Sequence, residues 1–355
     1  MKPYSISSSM SRSSAVSLSF ASNGAQTLSG TGQTRSRFWE VELEPEARAW
    51  LGHHAASAPS PHADFLRFSV ACCRLTACLP DPLLMALILF RTQAEAPGAM
   101  LIKGLPLDFD LAPTPADGGR SDKGTFVSEA VLGTIAHFFG DLYSYATEKK
   151  GEIIQNIVPV ANRELKRSNE GSFADFLLHT ENAYFEFRPD YLLLLGLRAD
   201  EGGKAATTVA YAKDALGLVS DQVTTTLRMP LYRIAAPDSF LDSHGGRDWS
   251  KPAPLISGSP QHPEARVNFN GITALTPAAA MALGAFQEAL DAVTMKVVLQ
   301  PGELLIIDNR KTMHGRTPFK ATFGPQARWL QRAYVRSTLW HGREKVAGRP
   351  NLFDA

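Results

Sequence analysis

The order of the predicted elements constrains the fold more than any other feature of the sequence. Residues 41–56, 64–95 and 128–143 have helical patterns. From residue 152 onward the chain changes to short β-like runs separated by turn residues, interrupted by one helical stretch at 277–293. The runs are 152–160, 191–198, 206–212, 228–235, 265–271, 297–308 and 328–338. Helices followed by many short strands predict an α+β protein with a β-sandwich or barrel core buttressed by helices.

Two segments stand apart from this pattern. Residues 1–37 are rich in Ser, Gly and Thr and contain no acidic residue, so we expect a flexible tail followed by a single domain over 38–355. Residues 213–264 include a long irregular stretch. Long loops in compact domains are often functional, and we expect this one to be a lid or insertion over a site.

Composition limits the partners. The 355-residue chain has a net charge of +1, which indicates neither nucleic acid nor a membrane surface. A small acidic ligand needs only one or two local arginines, and a small molecule is the expected partner; the oligomeric state is left open. Three cysteines, two of them adjacent, favour a reducing compartment and hence the cytoplasm. The apolar run 83–90 is too short to span a bilayer.

A possible metal site begins at His179 and Glu181 in the stretch LLHTENAYFEF. In an extended segment, residues i and i+2 point to the same side, so both side chains can face one ion. His314 is the best third ligand, because it follows a buried-looking strand in GELLIIDNRKTMHGR. Two histidines and a carboxylate suit Fe(II) and leave positions open for a chelating cosubstrate and dioxygen. A catalytic zinc site has the same ligand types, although the chain has no H-E-x-x-H motif.

The stretch ARWLQRAYVRST carries two arginines four residues apart. Strand alternation places Arg328, Leu330, Arg332 and Tyr334 on one face. If that face is the interior, each guanidinium requires an anion, because an unpaired buried charge is very costly. Two inward arginines would therefore indicate two carboxylates, and alternation alone leaves an outward basic face equally open.

Taken together, these motifs resemble the clavaminate synthase-like branch of the Fe(II)/2-oxoglutarate oxygenases, in the TauD-like superfamily. The resemblance rests on the ordered set of His179, Glu181, His314, Arg328 and Arg332, and it covers roughly residues 80–340. Similar segments are GEIIQNIVPV, HTENAYFEFRPDYLLLLGLR, ATTVA, ARVNFNG and DNRKTMHGRTPF. The family fold implied is a double-stranded β-helix (jelly-roll, cupin-like) with buttressing helices and a lid loop.

The resemblance also implies roles for individual residues. His179, Glu181 and His314 would bind Fe(II). Arg328 would pair with the distal carboxylate of 2-oxoglutarate, helped by Thr207 or its neighbour Thr208.

For the substrate, the resemblance implies that Arg332 binds the α-carboxylate of an amino acid. Gln155 would contact the α-amine, assisted by Glu181.

One departure from the family pattern concerns the substrate side chain. Arginine hydroxylases of this branch carry acidic residues where this chain has Asn268 and Asn270. Asparagine offers hydrogen bonds but no charge, which weakens an arginine assignment. Asp242, in the expected lid, is a candidate for restoring a negative charge.

The activity implied is hydroxylation of a free polar or basic L-amino acid at C3 or C4, in specialised metabolism. It is coupled to O2 consumption and to decarboxylation of 2-oxoglutarate to succinate and CO2. The retained Glu181 favours hydroxylation over halogenation. Alternatives are the same chemistry on a carrier-tethered amino acid, desaturation or cyclisation, a non-catalytic binding barrel, and a zinc hydrolase.

Overall fold

A computed structural model describes residues 17–19, 38–237 and 248–354. The predicted tail therefore lies outside the described residues except for Ser17–Ser19 (β1), whose backbone pairs antiparallel with Trp39–Glu42 (β2). Asp242 also lies outside the described residues.

Four helices form a layer over one face of the core. Asp64 caps the second helix by accepting a hydrogen bond from the backbone N–H of Arg67 at 3.0 Å. Pro80 precedes the third helix, where a proline is tolerated, and so separates it from the second. The fourth helix is buried on almost every side. The bounds are Pro45–Ala55 (α1), Phe65–Thr76 (α2), Asp81–Thr92 (α3) and Val127–Phe139 (α4).

Two helix predictions were too long. The start of residues 41–56 is the strand β2, in which Val41 is buried and Glu42 exposed; α1 begins only at Pro45, after the extended Glu44 (φ −63°, ψ 151°). The predicted helix over 128–143 ends at Phe139, because Gly140 adopts φ 150°. A strand follows directly.

The large sheet contains nine strands. Its path is β1-β2-β3-β14-β7-β16-β4-β17, with β5 paired beside β16. The long strand β16 therefore lies at its centre and pairs antiparallel with β7, β4 and β5. The further bounds are Ala99–Lys103 (β3), Asp141–Tyr145 (β4), Ile154–Ile157 (β5), Tyr191–Arg198 (β7), Leu304–Asp308 (β14), Trp329–Arg336 (β16) and Leu352–Phe353 (β17).

The small sheet has four strands in the order β13-β8-β15-β6. Their bounds are Phe176–His179 (β6), Thr207–Tyr211 (β8), Met295–Val297 (β13) and Thr312–Arg316 (β15). Two two-stranded sheets accompany it: Tyr232–Ile234 (β9) with Ile272–Ala274 (β12), and Ile256–Gly258 (β10) with Pro263–Ala265 (β11).

The two larger sheets face each other across a shared apolar cluster. Leu305, Leu330 and Tyr334 of the large sheet pack there with Val209 and Val297 of the small sheet. The helix Pro277–Val293 (α7) covers the other face of the small sheet, and α1–α4 cover the other face of the large sheet. The predicted α+β class, with a two-sheet core buttressed by helices, is confirmed.

The segment expected to be a long irregular insertion contains regular elements. Besides β9, β10 and β11, residues 213–237 and 248–264 include most of Ala212–Leu216 (α5) and all of Asp221–Leu227 (α6). The strand β9 lies within the predicted run 228–235. The other elements, of three to seven residues, are too short for hydrophobic periodicity to reveal. A lid within this segment remains a prediction.

The described cysteines are all free: Cys72 is buried, whereas Cys73 and Cys78 are exposed. Among the described residues no single helix has the length and apolar composition needed to cross a membrane. Only α2 and α3 taken together, as a pair bent by 104°, pass that test by length and composition.

Candidate functional site

Three potential metal ligands converge between the two sheets. His179 is the last residue of β6, Glu181 lies in the turn that follows, and His314 is central in β15. His179 and His314 face each other directly in the antiparallel pairing of β6 and β15. One ligand atom from each of the three residues lies within 4.8 Å of the others, and all three side chains are buried. The structure thus brings together the ligand set predicted from the sequence.

Hydrogen bonds orient these ligands. Nδ1 of His179 lies 2.8 Å from the carbonyl oxygen of Leu177, an arrangement that leaves Nε2 free for a metal. Nε2 of His314 lies 3.2 Å from Oε2 of Glu181. Burial, reinforced by His314, lowers the pKa of His179 to about 3, so the imidazole is neutral at neutral pH. Burial alone would raise the pKa of Glu181, but Arg332 and the histidines hold it well below its usual range. Neutral imidazoles and an ionised carboxylate are the forms that bind metal.

Asn309, for which the sequence predicted no role, fixes the position of Glu181. Its Oδ1 accepts a hydrogen bond from the backbone N–H of Glu181 at 2.6 Å. Its Nδ2 donates to the carbonyl oxygens of Glu181 at 3.1 Å and Pro189 at 2.8 Å. Asn309 is completely buried in the polar turn between β14 and β15. Its position at the end of a buried strand was the only sequence signal.

Arg328 and Arg332 both point into the interior. This is one of the two orientations that strand alternation had left open. Leu330 and Tyr334 share their side and join the cluster between the sheets, whereas Trp329 packs in the cluster toward the helices. Both guanidinium groups are buried. Their surroundings differ.

Arg328 has no carboxylate within ion-pair distance among the described residues. The ring of Phe319 lies 5.7 Å from its guanidinium carbon. Burial lowers the pKa of Arg328 to about 10, which leaves the group charged at neutral pH. A buried, charged and unpaired guanidinium indicates a site for an anionic ligand.

Thr207 and Arg316 lie near this site. They face each other in the pairing of β8 with β15, on the side of the sheet that carries His314. Thr208 points the other way and lines a cleft against α7, beside Gln287 and Asp291. Arg316 donates to the carbonyl oxygens of Gly171 and Ala174, and burial together with Arg328 lowers its pKa to about 10. Arg316 had no predicted role, although it stands two residues after His314.

Arg332 is surrounded by acceptors. Its Nε donates to Oε1 of Gln155 at 3.0 Å, its Nη1 to Oε1 of Glu181 at 3.3 Å, and its Nη2 to Oε1 of Glu148. Tyr334 links the two carboxylates, with its hydroxyl 2.8 Å from Glu181 and 2.9 Å from Glu148. Burial opposes the charge of Arg332, but these neighbours raise its pKa above the ordinary value. The buried Glu148 was missed, because the sequence shows it only as one charge in the run EKK.

Gln155 faces Arg332 directly across the pairing of β5 with β16. Since a guanidinium can only donate, the oxygen of the Gln155 amide must be the atom that contacts Arg332. Nε2 of Gln155 is buried without a partner among the described residues. The free group of Gln155 is therefore a hydrogen-bond donor.

Asn268 and Asn270 also lie beside the triad. Residues 265–271, predicted as a strand, are irregular beyond Ala265; Asn268 instead forms an isolated antiparallel bridge with His179. Asn270 is bonded to the backbone of Leu177 and to Asn268.

The triad fits a ferrous ion by the chemistry of its donors. Two imidazoles and one carboxylate are held by β-strands and by Asn309, and no fourth His, Cys, Asp or Glu joins them among the described residues. A three-ligand site leaves positions open for exogenous ligands. A structural zinc site would be closed by a fourth residue.

Comparison with known proteins agrees with this geometry. The family described as "Taurine catabolism dioxygenase TauD, TfdA family" matches residues 236–334. The L-asparagine oxygenase of Streptomyces coelicolor is 38% identical over 255 residues, which cover 72% of this chain and 75% of that protein. Clavaminate synthase 2 of Streptomyces clavuligerus is 31% identical over 284 residues, 78% of this chain and 86% of that one.

Among solved structures, asparagine oxygenase in complex with Fe(II), 2S,3S-3-hydroxyasparagine and succinate superposes with a TM-score of 0.83. Its sequence identity is 33%, and the match covers 89% of this chain and 99% of that chain. The match confirms the predicted double-stranded β-helix, or jelly-roll, core.

Proposed function

Because the chain belongs to the clavaminate synthase-like branch of the Fe(II)/2-oxoglutarate-dependent oxygenases, in the TauD/TfdA family, we propose that it hydroxylates C3 of a free L-amino acid with a polar side chain. The relatives name L-asparagine as the first substrate to test. One oxygen atom of O2 enters the amino acid and the other enters succinate, while 2-oxoglutarate loses CO2. One observation carries the proposal. Arg332 lies between the carboxylates of Glu148 and Glu181, so that groups complementary to an α-carboxylate and an α-ammonium lie together, and Glu181 is also one of the candidate metal ligands.

The metal and the cosubstrate have separate residues. His179, Glu181 and His314 hold the iron, and Arg328 with Thr207 binds the distal carboxylate of 2-oxoglutarate. When bound, iron and 2-oxoglutarate together supply the oxidising chemistry that replaces an unactivated C–H by C–OH. The protein orients both and excludes water from a buried site.

Both α-groups of an amino acid find complementary partners near Arg332. We assign the α-carboxylate to the guanidinium of Arg332 and to the free Nε2 of Gln155, since both donate hydrogen bonds. The α-ammonium group fits the carboxylates of Glu148 and Glu181. This revises the role expected for Gln155, because its oxygen already accepts from Arg332 and its remaining group cannot bind a cation.

The contacts of Glu181 support a substrate position next to the metal. Its Oε2 faces His314, whereas its Oε1 faces Arg332 and Tyr334. An amino acid held at Arg332 would therefore lie against the metal-binding carboxylate. The 3-hydroxyasparagine bound to the similar asparagine oxygenase supports C3 as the position of hydroxylation.

A free amino acid suits the site better than a carrier-tethered one. A thioester linkage removes the α-carboxylate, which would leave Arg332 and Gln155 without a substrate partner. The carboxylate ligand Glu181 supports hydroxylation, because it occupies the position that related halogenases leave open for chloride. Desaturation or cyclisation is the alternative outcome for the same C–H bond.

We place the enzyme in the cytoplasm. The exposed Cys73 and Cys78 are free thiols, and such thiols persist in a reducing compartment.

The test begins with an anaerobic titration of apo-protein with Fe(II) and 2-oxoglutarate, in which the visible charge-transfer band of the chelate is measured. Amino acids are then added under air, and succinate together with a +16 product is followed by mass spectrometry. His314→Ala is expected to abolish the band. His262→Ala, at an exposed histidine, serves as the matched control and should leave it unchanged.

The outcomes separate the alternatives. A band with turnover of a free amino acid, and hydroxyl at C3 by NMR, supports the proposal. A band with turnover only of a carrier-bound amino acid would replace it by the tethered reaction. No band in folded wild-type protein would contradict the iron assignment.

A further inference from the structure

Glu148 lies in a turn whose backbone is strained. Residues 148–151 (the Glu148 turn) belong to the connection between β4 and β5, and the three residues after Glu148 all have positive φ: 46° at Lys149, 56° at Lys150 and 74° at Gly151. Glycine adopts this left-handed conformation freely, but it is unfavourable for the two lysines, which carry a Cβ atom. Contacts from outside the turn must therefore stabilise it.

The same turn brings a charge to the proposed substrate site. Glu148 is buried; its Oε1 accepts a hydrogen bond from Nη2 of Arg332 and lies 2.9 Å from the hydroxyl of Tyr334. Because β4 and β5 both pair with β16, the two ends of the connection are fixed. A change of backbone conformation within the turn must then displace the residues between these ends, including Glu148.

Residues 349–353 (the clamp) contact the Glu148 turn from outside. Nη2 of Arg349 donates to the carbonyl oxygen of Gly151. Leu352 packs against the α-carbon of Gly151, so closely that a Cβ atom at this position would lie 2.9 Å from Leu352 Cδ1. The last residue of the turn is therefore held by a hydrogen bond and by a packing contact.

The core of the protein anchors the clamp. The short strand β17 belongs to the clamp and pairs parallel with β4. The side chain of Phe353 is completely buried, and its ring centroid lies 5.7 Å from that of Tyr143 and 4.8 Å from that of Phe187. Because these contacts do not involve the Glu148 turn, the clamp has a fixed position from which Arg349 can act.

We propose that Arg349 is a positioning residue for amino-acid binding. Its contact with Gly151 holds the turn in the left-handed conformation, and this conformation brings the Glu148 carboxylate to Arg332. The inference rests on the proposed function, in which Glu148 faces the α-ammonium group, and it adds a residue that acts through Glu148. Cosubstrate binding at Arg328 does not depend on it.

The conformation of the turn is measured without metal, cosubstrate or amino acid. Trypsin cleaves after lysines in segments that open transiently, so the rate of cleavage after Lys149 and Lys150, followed by mass spectrometry on folded apo-protein, reports how often the turn opens. Arg349→Met should raise this rate about tenfold. Arg343→Met is the matched control, because Arg343 is an exposed arginine that bonds to Trp340, and it should leave the rate unchanged.

The effect on the substrate is measured as KM. Arg349→Met should raise the KM for the amino acid about tenfold and leave the KM for 2-oxoglutarate unchanged, since only the Glu148 charge is displaced. In the Glu148→Gln background the same change should raise the KM for the amino acid by less than about twofold, because a residue that acts through Glu148 has little further effect once that charge is gone.

Lys150→Gly separates backbone strain from charge. Lys150 is exposed, whereas Lys149 pairs with Glu170 at 3.2 Å, so position 150 allows the backbone preference to be changed alone. Glycine adopts φ 56° without strain, and Lys150→Gly should return the KM of Arg349→Met to within about threefold of the wild type. Lys150→Ala removes the same charge but keeps a Cβ atom, and it should give no rescue.

The same pair of variants tests the strain with Arg349 intact. In an otherwise wild-type chain, cleavage after Lys149 should be slower in Lys150→Gly than in Lys150→Ala, because only glycine removes the strain. Equal rates would contradict the strain on which the inference depends.

Three further results would overturn the inference alone. They are equal cleavage rates in Arg349→Met and Arg343→Met, an unchanged KM for the amino acid in Arg349→Met although Glu148→Gln raises it, and fully additive effects in the double variant. An unchanged KM in Glu148→Gln would instead refute the assignment of the α-ammonium group in the proposed function, and the inference with it.

Discussion

Arg328 and Arg332 are chemically identical, four residues apart and equally buried, yet their surroundings are opposite. Arg332 is enclosed by Glu148, Gln155 and Glu181, whereas Arg328 has no carboxylate within ion-pair distance among the described residues. The difference matches the charge of the ligand proposed for each. 2-Oxoglutarate is a dianion and supplies the negative charge that the surroundings of Arg328 lack. An amino acid is a zwitterion and needs a site with both positive and negative groups.

The largest effect is expected from Arg332→Met. This change leaves Glu148 and Glu181 as buried carboxylates without their guanidinium partner, and it should destabilise the apo-protein by about 3–5 kcal/mol. Chemical denaturation of metal-free protein measures it. Arg336→Met is the matched control, because Arg336 lies on the same strand and, among the described residues, donates to the carbonyl oxygen of Arg188 and stacks on the Phe187 ring without pairing with a carboxylate. Equal stability of the two variants would show that the carboxylates do not depend on Arg332.

Arg328→Met should lower the affinity for the cosubstrate without lowering the stability of the apo-protein. Removing an unpaired buried charge is expected to leave the stability of the apo-protein unchanged or raise it, since no buried partner is orphaned. The dissociation constant for the cosubstrate should rise by about 100-fold, as measured by the chelate band. If this variant loses stability but keeps its affinity for 2-oxoglutarate, Arg328 has a structural role and does not bind the cosubstrate.

Glu148→Gln should have the smallest effect. The amide oxygen can still accept from Arg332 and Tyr334, but the negative charge that faces the α-ammonium group is lost. The KM for the amino acid should rise by about tenfold, while the KM for the cosubstrate stays unchanged. Glu152→Gln is the control, since Glu152 pairs with His62 and Arg120 instead. A rise in both KM values would indicate a general structural role for Glu148.

Short-range periodicity predicted the parts of the site that lie on one strand. The two-residue period of β16 placed Arg328 and Arg332 on one face, and the spacing of His179 and Glu181 predicted their convergence. The helix α7 was predicted to the residue, because its seventeen residues carry a long apolar pattern. Such features depend on neighbours within a few positions.

Contacts between distant segments could not be predicted in the same way. Glu148 and Arg332 are separated by 184 residues, and Asn270 and Leu177 by 93. No local pattern distinguishes Glu148 from the charged lysines next to it, and the hydrogen bonds of Asn268 depend on the register between two segments. The alternation of β2 was missed for a different reason, since a four-residue strand next to a proline-initiated helix offers too few positions to establish a period.

The carboxamide of Asn309 has a consequence for metal exchange. Glu181 lies in a turn, and turns usually lose conformational entropy when they bind an ion. Here Asn309 is hydrogen-bonded to both the backbone N–H and the carbonyl oxygen of Glu181. The loss of conformational entropy at Glu181 therefore occurs during folding, before a metal binds. Iron can then enter and leave a site of constant shape, and metal-depleted protein should recover its site simply by taking up iron, without refolding.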